Sequence, residues 1–562
     1  MTEIKFLSGG KLQTVTSPCE LFSWNVLDVE GGKRYTGVFT PCKEVEFVSA
    51  KITLEQNYRE SDRILCNGIQ SWTKTMELTP CDVEKHLSLF ARMIDKKMNI
   101  TLSGDKHIYD YPEKKGFIHS HKYIYVRNGK NYRFYGALNE KACFTMFETN
   151  CKENAMTVIA DVKGLVTDKP RTLFDFVILD GEREYVYDRF FELMEIAPPR
   201  VKKAKGWTSW YNYYQNIDEE IILRNCENLR KFKESGHDID IFQIDDGFEE
   251  YVGDWLKVDK NKFPRGLKPI AEEINKHFTA GLWLAPFAAE AKSSLYREHR
   301  DWILKDKDGN EVLAGGNWSG FYALDFYNEN VREYLREVFK TVFEDWGFKM
   351  VKLDFLYAAC LAVPKDKTRS EVMREAMEFI RELCGDNIVL GCGVPLSSAY
   401  GLVDYCRVGC DVSLDWSYYG ADNYIHKECV STRCAITDSV IRFPLSGRAF
   451  MNDPDVFLLR TDNIKMPRSE KLALSIANAI FGRVLFTSDD FSKYPDKSVF
   501  DDLEYVWHLN DCKLLDYDFV EKDLFRADVE LDGEKFSYYI NVSNHTYTVD
   551  GIKIPKRSAT KA

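Results

Sequence analysis

The sequence has no CxxC pair, no run of 18 apolar residues and no apolar stretch within Met1–Gln13. Without the pair, and with an odd total of 15 cysteines spread over 562 residues, a disulfide scaffold is excluded and free thiols in a reducing compartment are expected. Cys406 and Cys410 have a loose metal-like spacing, but no second pair matches them, so no zinc site is expected there. The two apolar absences speak against a signal peptide and a membrane span, and the expected location is cytoplasmic. Basic excess is also missing. Lys and Arg total 76 against 88 Asp and Glu, a net charge of −12, which leaves no basic face for nucleic acid.

The 44% hydrophobic and 29% charged fractions are those of a soluble globular chain. Its length calls for two to four domains. Aromatics reach 14%, and eight of the eleven tryptophans fall between Trp207 and Trp416. Some belong to a core; others suit platforms for a flat, weakly polar ligand such as a sugar ring.

Residues 1–197 carry short β-type segments and no sustained helical period, so a large antiparallel β domain is expected. Its clearest element is Tyr123–Tyr135, where Asn128-Gly129 reads as a tight hairpin turn. Ile196–Gly206 combines two prolines with four basic residues and reads as a linker. From 198 to 487 short apolar runs alternate with helical ones. Strands are expected at Gly206–Tyr211, Ile239–Ile244, Ala280–Pro286, Phe321–Leu324, Met350–Leu353, Ile388–Gly391 and Tyr405–Val408. The best helix, Val331–Trp346, has its apolar stripe at Val331, Leu335, Val338, Phe339, Val342, Phe343 and Trp346. This alternation suits a (β/α)8 TIM barrel, with a doubly wound sheet as competitor. From about Ser488 the chain is expected to return to strands, with a hairpin at Asp532-Gly533, as a C-terminal β domain spanning 488–562.

Groups at the C-terminal ends of barrel strands carry the chemistry of this fold. Those positions hold Asp245-Asp246, Lys352, Asp354, Arg407 and Asp411, with Trp210-Tyr211 and Trp283 as aromatic neighbours. No Ser, His or Cys occupies a matching place with a partner, so a Ser-His-Asp mechanism has no support. Two carboxylates among aromatics are what glycosidic bond cleavage requires. Blander roles stand beside this: Asp245-Asp246 could cap a following helix, Trp283 could be plain core, and Asn452-Asp453-Pro454-Asp455 reads as a turn near the rim. Asp404 and Asp415 are rivals to Asp411.

The segments GWTSWYNYY, FQIDDGFEEYVGDW, GLWLAPF, HRDWILKDKDG, VKLDFLYA, LGCGVPL, RVGCD and NDPD resemble, in order, those of the shorter bacterial α-galactosidases of glycoside hydrolase family 36. The resemblance implies an N-terminal β-supersandwich, a central (β/α)8 barrel, a C-terminal antiparallel β domain and retaining hydrolysis of terminal α-galactosides. It further implies Asp354 as nucleophile and Asp411 as acid/base. Asp245 and Asp246 would bind the galactose O4 and O6 hydroxyls, Lys352 would reach O3 and O4, and Arg407 would lie near the nucleophile side. Gln70-Ser71-Trp72 resembles the place where the N-terminal domain lends Trp72 to the sugar pocket. One departure is Cys410, where related short members carry proline. A relative acting on α-N-acetylgalactosamine, a galactosyl-transferring relative and a non-catalytic sugar-binding barrel are the alternatives. No metal or organic cofactor is expected, and a metal-dependent barrel enzyme would be revealed by sensitivity to a chelator.

Overall fold

The computed structural model describes the chain except residues 86, 89, 90, 94, 96–99 and 418–429. The N-terminal region folds as two facing antiparallel sheets of seven strands each. In the first, Thr2–Ser8 pairs with Lys11–Val15 and Val45–Glu55, and the sheet runs on through Ala155–Ala160 and Thr145–Asn150 to His119–His121. Strand Thr2–Ser8 alternates as a half-buried strand should, with Ile4, Phe6 and Ser8 inward. Phe39 of the second sheet packs edge-on against Phe6 and Phe47 of the first, at 5.0 and 5.2 Å between centroids.

The hairpin at 123–137 forms one residue later than expected: Asn128 still pairs with Asn131, and the loop is Gly129-Lys130, with Gly129 at φ +57°. A second difference is the helix Arg183–Leu193. Its buried residues Val186, Tyr187, Phe190 and Phe191 make a stripe only two turns long, too short to register as a sustained period.

The barrel closes. Strands β1 (Ala204–Thr208), β2 (Ile241–Ile244), β3 (Thr279–Leu284), β4 (Met350–Leu353), β5 (Ile388–Gly391), β6 (Tyr405–Arg407), β7 (Met451–Asp453), β8 (Val456–Phe457) and β9 (Val484–Thr487) form one parallel sheet, in which β9 pairs back onto β1. Strands β7 and β8 are two halves of a single barrel position, split at Pro454-Asp455, so the nine strands make eight staves. The (β/α)8 reading holds over the doubly wound sheet.

Phe321–Leu324, expected as a barrel strand, is not one. Phe321–Ala323 pairs antiparallel with Ala288–Glu290 and Leu313–Gly315 in a small sheet inserted after β3. A short buried apolar run looks alike in either setting, and only the missing crossover helix distinguishes them. The helix expected at 331–346 is Glu329–Lys340, continued by a π turn at Thr341–Asp345.

The C-terminal strands begin later than Ser488. Helix Lys497–Leu509 comes first, capped by Asp496 and burying Val499, Leu503, Val506 and Trp507 at helical spacing. The antiparallel sheet follows from Lys513–Glu521, and its Asp532-Gly533 turn has both residues at positive φ, as a type I′ hairpin demands. Among the described residues no helix is long and apolar enough to cross a membrane.

Candidate active site

The segments after β1 to β4 and β6, the inserted sheet and the N-terminal segment around Trp72 line a cavity of about 440 Å3. Of the residues expected from the sequence, Trp72, Trp210, Asp245, Asp246, Trp283, Lys352, Asp354 and Asp411 line it. Arg407 and Tyr211 do not.

Asp354 follows β4 directly and is buried, at 8% exposure. Its Oδ2 accepts from Trp283 Nε1 (3.2 Å) and its Oδ1 from the Phe355 N–H (2.9 Å). Phe355 sits at φ +52°, so the chain turns through the left-handed region immediately after this carboxylate. Burial pushes the Asp354 carboxyl upward and the charge of Asp411 adds to the rise, while Lys352 opposes it.

At the closed end, Lys352 Nζ donates to Asp245 Oδ2 at 2.8 Å, where Gln243 Nε2 also donates at 2.8 Å. Asp246 Oδ2 accepts from Trp318 Nε1 (2.8 Å) and Gln215 Nε2 (3.1 Å). Behind it, burial and the Asp246 charge hold the Glu249 carboxyl well above its usual range. Neither aspartate caps a helix: the next one begins at Lys268, over twenty residues on. Trp283 is not plain core either, since its indole N–H meets Asp354 while its ring packs edge-on against Trp255.

Asp411 enters from the loop after β6 with its side chain 42% exposed. Arg407 Nη1 donates to it at 2.9 Å. The expectation that Arg407 lies on the nucleophile side is corrected here. Its Nε donates to Asp453 Oδ2 at 3.1 Å, and its Nη2 lies 2.8 Å from Asp455 Oδ1. With its guanidinium taken up by three carboxylates, it faces Asp411 from behind. Tyr211 is likewise displaced from the cavity; it is buried and its hydroxyl donates to Asp455. Asp455 therefore ties three elements together, since its Oδ2 also accepts from the Val412 N–H at 2.8 Å. Burial pushes its carboxyl up to about 7 against the pull of Arg407.

The rivals to Asp411 lie elsewhere. Asp404 precedes β6, at the opposite end of the strand, and is paired to Arg200 (2.7 Å) and Arg381 (3.0 Å). Asp415 accepts from Ser413 Oγ and does not line the cavity. Cys406 and Cys410 belong to no cluster of metal-ligating groups among the described residues.

Trp72 reaches the cavity because its loop is fastened to the barrel. Buried Arg442 donates to the carbonyls of Gly68, Ser71, Thr73 and Val408, and Ser71 Oγ accepts from the Gly393 N–H at 2.9 Å. A Cβ at Gly393, which has φ +55°, would come within 2.8 Å of the Trp72 ring. The indole N–H of Trp72 donates to Cys392 Sγ (3.3 Å), and its ring stands edge-on to Phe355 at 5.0 Å. Sequence reasoning missed Trp318, Asn317 and Gly315, because the inserted sheet that carries them was read as a barrel strand.

Residues 208–381 match the family described as Melibiase. The match lies within the barrel, from the end of β1 into the helix that precedes β5. Alpha-galactosidase 2 of Pediococcus pentosaceus is 32% identical over 164 residues, 28% of this chain and 21% of that protein. An A type blood alpha-D-galactosamine galactosaminidase of Flavonifractor plautii is 26% identical over 213 residues, 34% of this chain and 19% of that one. The matched stretches thus span about a fifth of these curated relatives' own length. TtGalA, an alpha-galactosidase from Thermus thermophilus solved in complex with stachyose, superposes with a TM-score of 0.68 at 26% identity, covering 90% of this chain and 99% of that one. The resemblance read from the motifs is therefore matched by a likeness in fold to that alpha-galactosidase over 90% of this chain.

Proposed function

We propose that the chain is a retaining exo-glycosidase that hydrolyses terminal α-D-galactosyl residues from oligosaccharides by double displacement. One observation carries the reading: Asp354 and Asp411 face one cavity whose closed end is walled by Asp245, Asp246 and Lys352. Asp354 attacks the anomeric carbon, its lone pairs oriented by the Trp283 and Phe355 N–H groups, and Asp411 protonates the leaving oxygen. Asp411 then takes a proton from the water that cleaves the glycosyl ester. Asp245 and Asp246 accept from sugar hydroxyls, including the axial O4, so an epimer would leave buried acceptors unpaired. Lys352, bound to Asp245, serves the same end, and Trp72, Trp210 and Trp318 form the aromatic walls. We place the active unit at 198–487, flanked by 1–197 and 488–562, in the cytoplasm, where the free thiols of the described cysteines would persist.

The substrates would resemble the stachyose bound by TtGalA. α-N-Acetylgalactosamine is the second reading; the relative named for alpha-D-galactosamine supports no more than a changed group at C2. A panel of p-nitrophenyl α- and β-glycosides decides between them, with the first-formed anomer followed by NMR. The proposal expects turnover of the α-galactoside with α-galactose as first product. Preference for α-N-acetylgalactosaminide supports the second reading, β-galactose overturns retention, and no turnover of any member supports a non-catalytic binder.

A further inference from the structure

The N-terminal sandwich holds a buried cluster that the reaction above does not use. His119 and His121 stand at the two ends of the strand His119–His121 and, two residues apart, point to one face of the sheet. Asp105 opens the short helix Asp105–Ile108 and projects onto the same face. Its Oδ2 lies 2.9 Å from His119 Nε2 and its Oδ1 3.7 Å from His121 Nε2. The three donor atoms lie within 4.8 Å of one another, and all three residues are 3% exposed or less. The other edge of the His119 ring is gripped by Glu84, whose Oε1 lies 2.7 Å from Nδ1 and whose Oε2 accepts the His119 backbone N–H at 2.8 Å. Tyr111 stacks on the same ring at 3.9 Å.

We propose that Asp105, His119 and His121 supply three ligands of a buried site for a first-row divalent cation, with zinc the best match. Two imidazoles and one carboxylate are borderline-soft and hard donors of the kind zinc takes. Bonds of about 2.0–2.2 Å to a tetrahedral ion set neighbouring donors roughly 3.3–3.6 Å apart; His119 Nε2 stands 2.9 Å from Asp105 Oδ2 and His121 Nε2 3.7 Å from Oδ1, so the carboxylate meets the two imidazoles through different oxygens. Glu84 Oε1 lies against Nδ1, on the edge of the ring opposite Nε2, and so helps to orient the imidazole whose Nε2 faces Asp105. Cys66, Glu84 and His119 Nδ1 form a second converging group, but the two nitrogens of one ring diverge and cannot serve one ion. The Asp105 side, with two imidazoles, is the ligating one.

The site lies behind the loop that lends Trp72 to the cavity. Asp105 Oδ1 accepts the Ile69 N–H at 2.7 Å, and Gln70 Nε2 donates to the Ser103 carbonyl at 2.7 Å. An ion here would brace the segments that carry Trp72 and Ser103 into the cavity; this last step alone rests on the sugar-cleaving reading.

The test uses the full chain expressed with added zinc and analysed by inductively coupled plasma mass spectrometry after desalting. About one equivalent of zinc per chain is expected, lost in His121→Gln and in Asp105→Asn. Stripping with a strong chelator should lower the melting temperature by about 5 °C or more, and Zn²⁺ alone should restore it. Substituted Co²⁺ should give the intense visible absorption of a tetrahedral site. Wild-type protein with less than about a tenth of an equivalent, and with no melting shift when Zn²⁺ is returned, overturns the proposal in favour of a metal-free cluster in which His119 lies between two carboxyl groups. Zinc retained in full by both variants also overturns it. These readouts are independent of turnover, so their failure is separable from failure of the galactosidase reading; the bracing step predicts that stripping raises KM more than it lowers kcat.

Discussion

Asp354 and Asp411 reach the same cavity from unlike supports. Asp354 follows a strand hydrogen-bonded on both sides, and an indole and a backbone N–H fix its carboxylate. Asp411 stands on a loop, half in solvent, and its orientation depends on Arg407, which in turn depends on Asp453 and Asp455. The difference follows from the two tasks assigned to them. An attacking carboxylate needs one position and one charge state, which rigid backbone geometry supplies. A group that first gives a proton and then takes one from water needs access to solvent and a partner that is itself held in place.

The comparison breaks most severely at Asp354. Asp354→Asn should lower kcat/KM by at least about 10^4-fold for every galactoside, because no covalent intermediate can form; steady-state kinetics with unchanged circular dichroism checks this. Asp246→Asn replaces a charged acceptor of Trp318 and Gln215 and should cost one to two decades in kcat/KM, about 1.5–3 kcal/mol. Unchanged kinetics would remove Asp246 from the sugar site.

Asp455→Asn sharpens the Asp411 side with a smaller effect, about tenfold in kcat, since it loosens the support of the acid/base and not the group itself. It should also alter stability. The folded pKa of about 7 lies above the ordinary carboxylate value of 3.8. Between those values the unfolded chain has released a proton that the folded one keeps, so this group makes stability fall as pH rises from about 4 to 7. The asparagine variant should lose that part of the slope, measured as melting temperature against pH.

Much of the barrel was legible because its strands are short apolar runs broken by helical stripes; Met350–Leu353 and Ile388–Gly391 form as expected. What misled was local likeness. The run at Phe321 has the composition of a barrel strand but pairs antiparallel in an insertion, so Trp318 went unseen. Arg407 could be placed on the rim, yet nothing in RVGCD says which carboxylates it faces; that is set by Asp453 and Asp455, over forty residues away. The cluster at Asp105, His119 and His121 was invisible for the same reason, since Asp105 has no fixed spacing to the two histidines and meets them only through the fold of the sandwich.

The claim that the two carboxylates divide the reaction is tested most directly by azide capture with p-nitrophenyl α-galactoside. Asp354→Gly leaves a vacancy facing the anomeric carbon, and azide should fill it to give β-galactosyl azide, with inversion. Asp411→Gly should still form the intermediate from this activated substrate, show a burst, and yield α-galactosyl azide, with retention. The reverse pair of anomers would mean that the roles are exchanged. Full turnover of natural oligosaccharides by Asp411→Gly would contradict the assignment of the acid altogether.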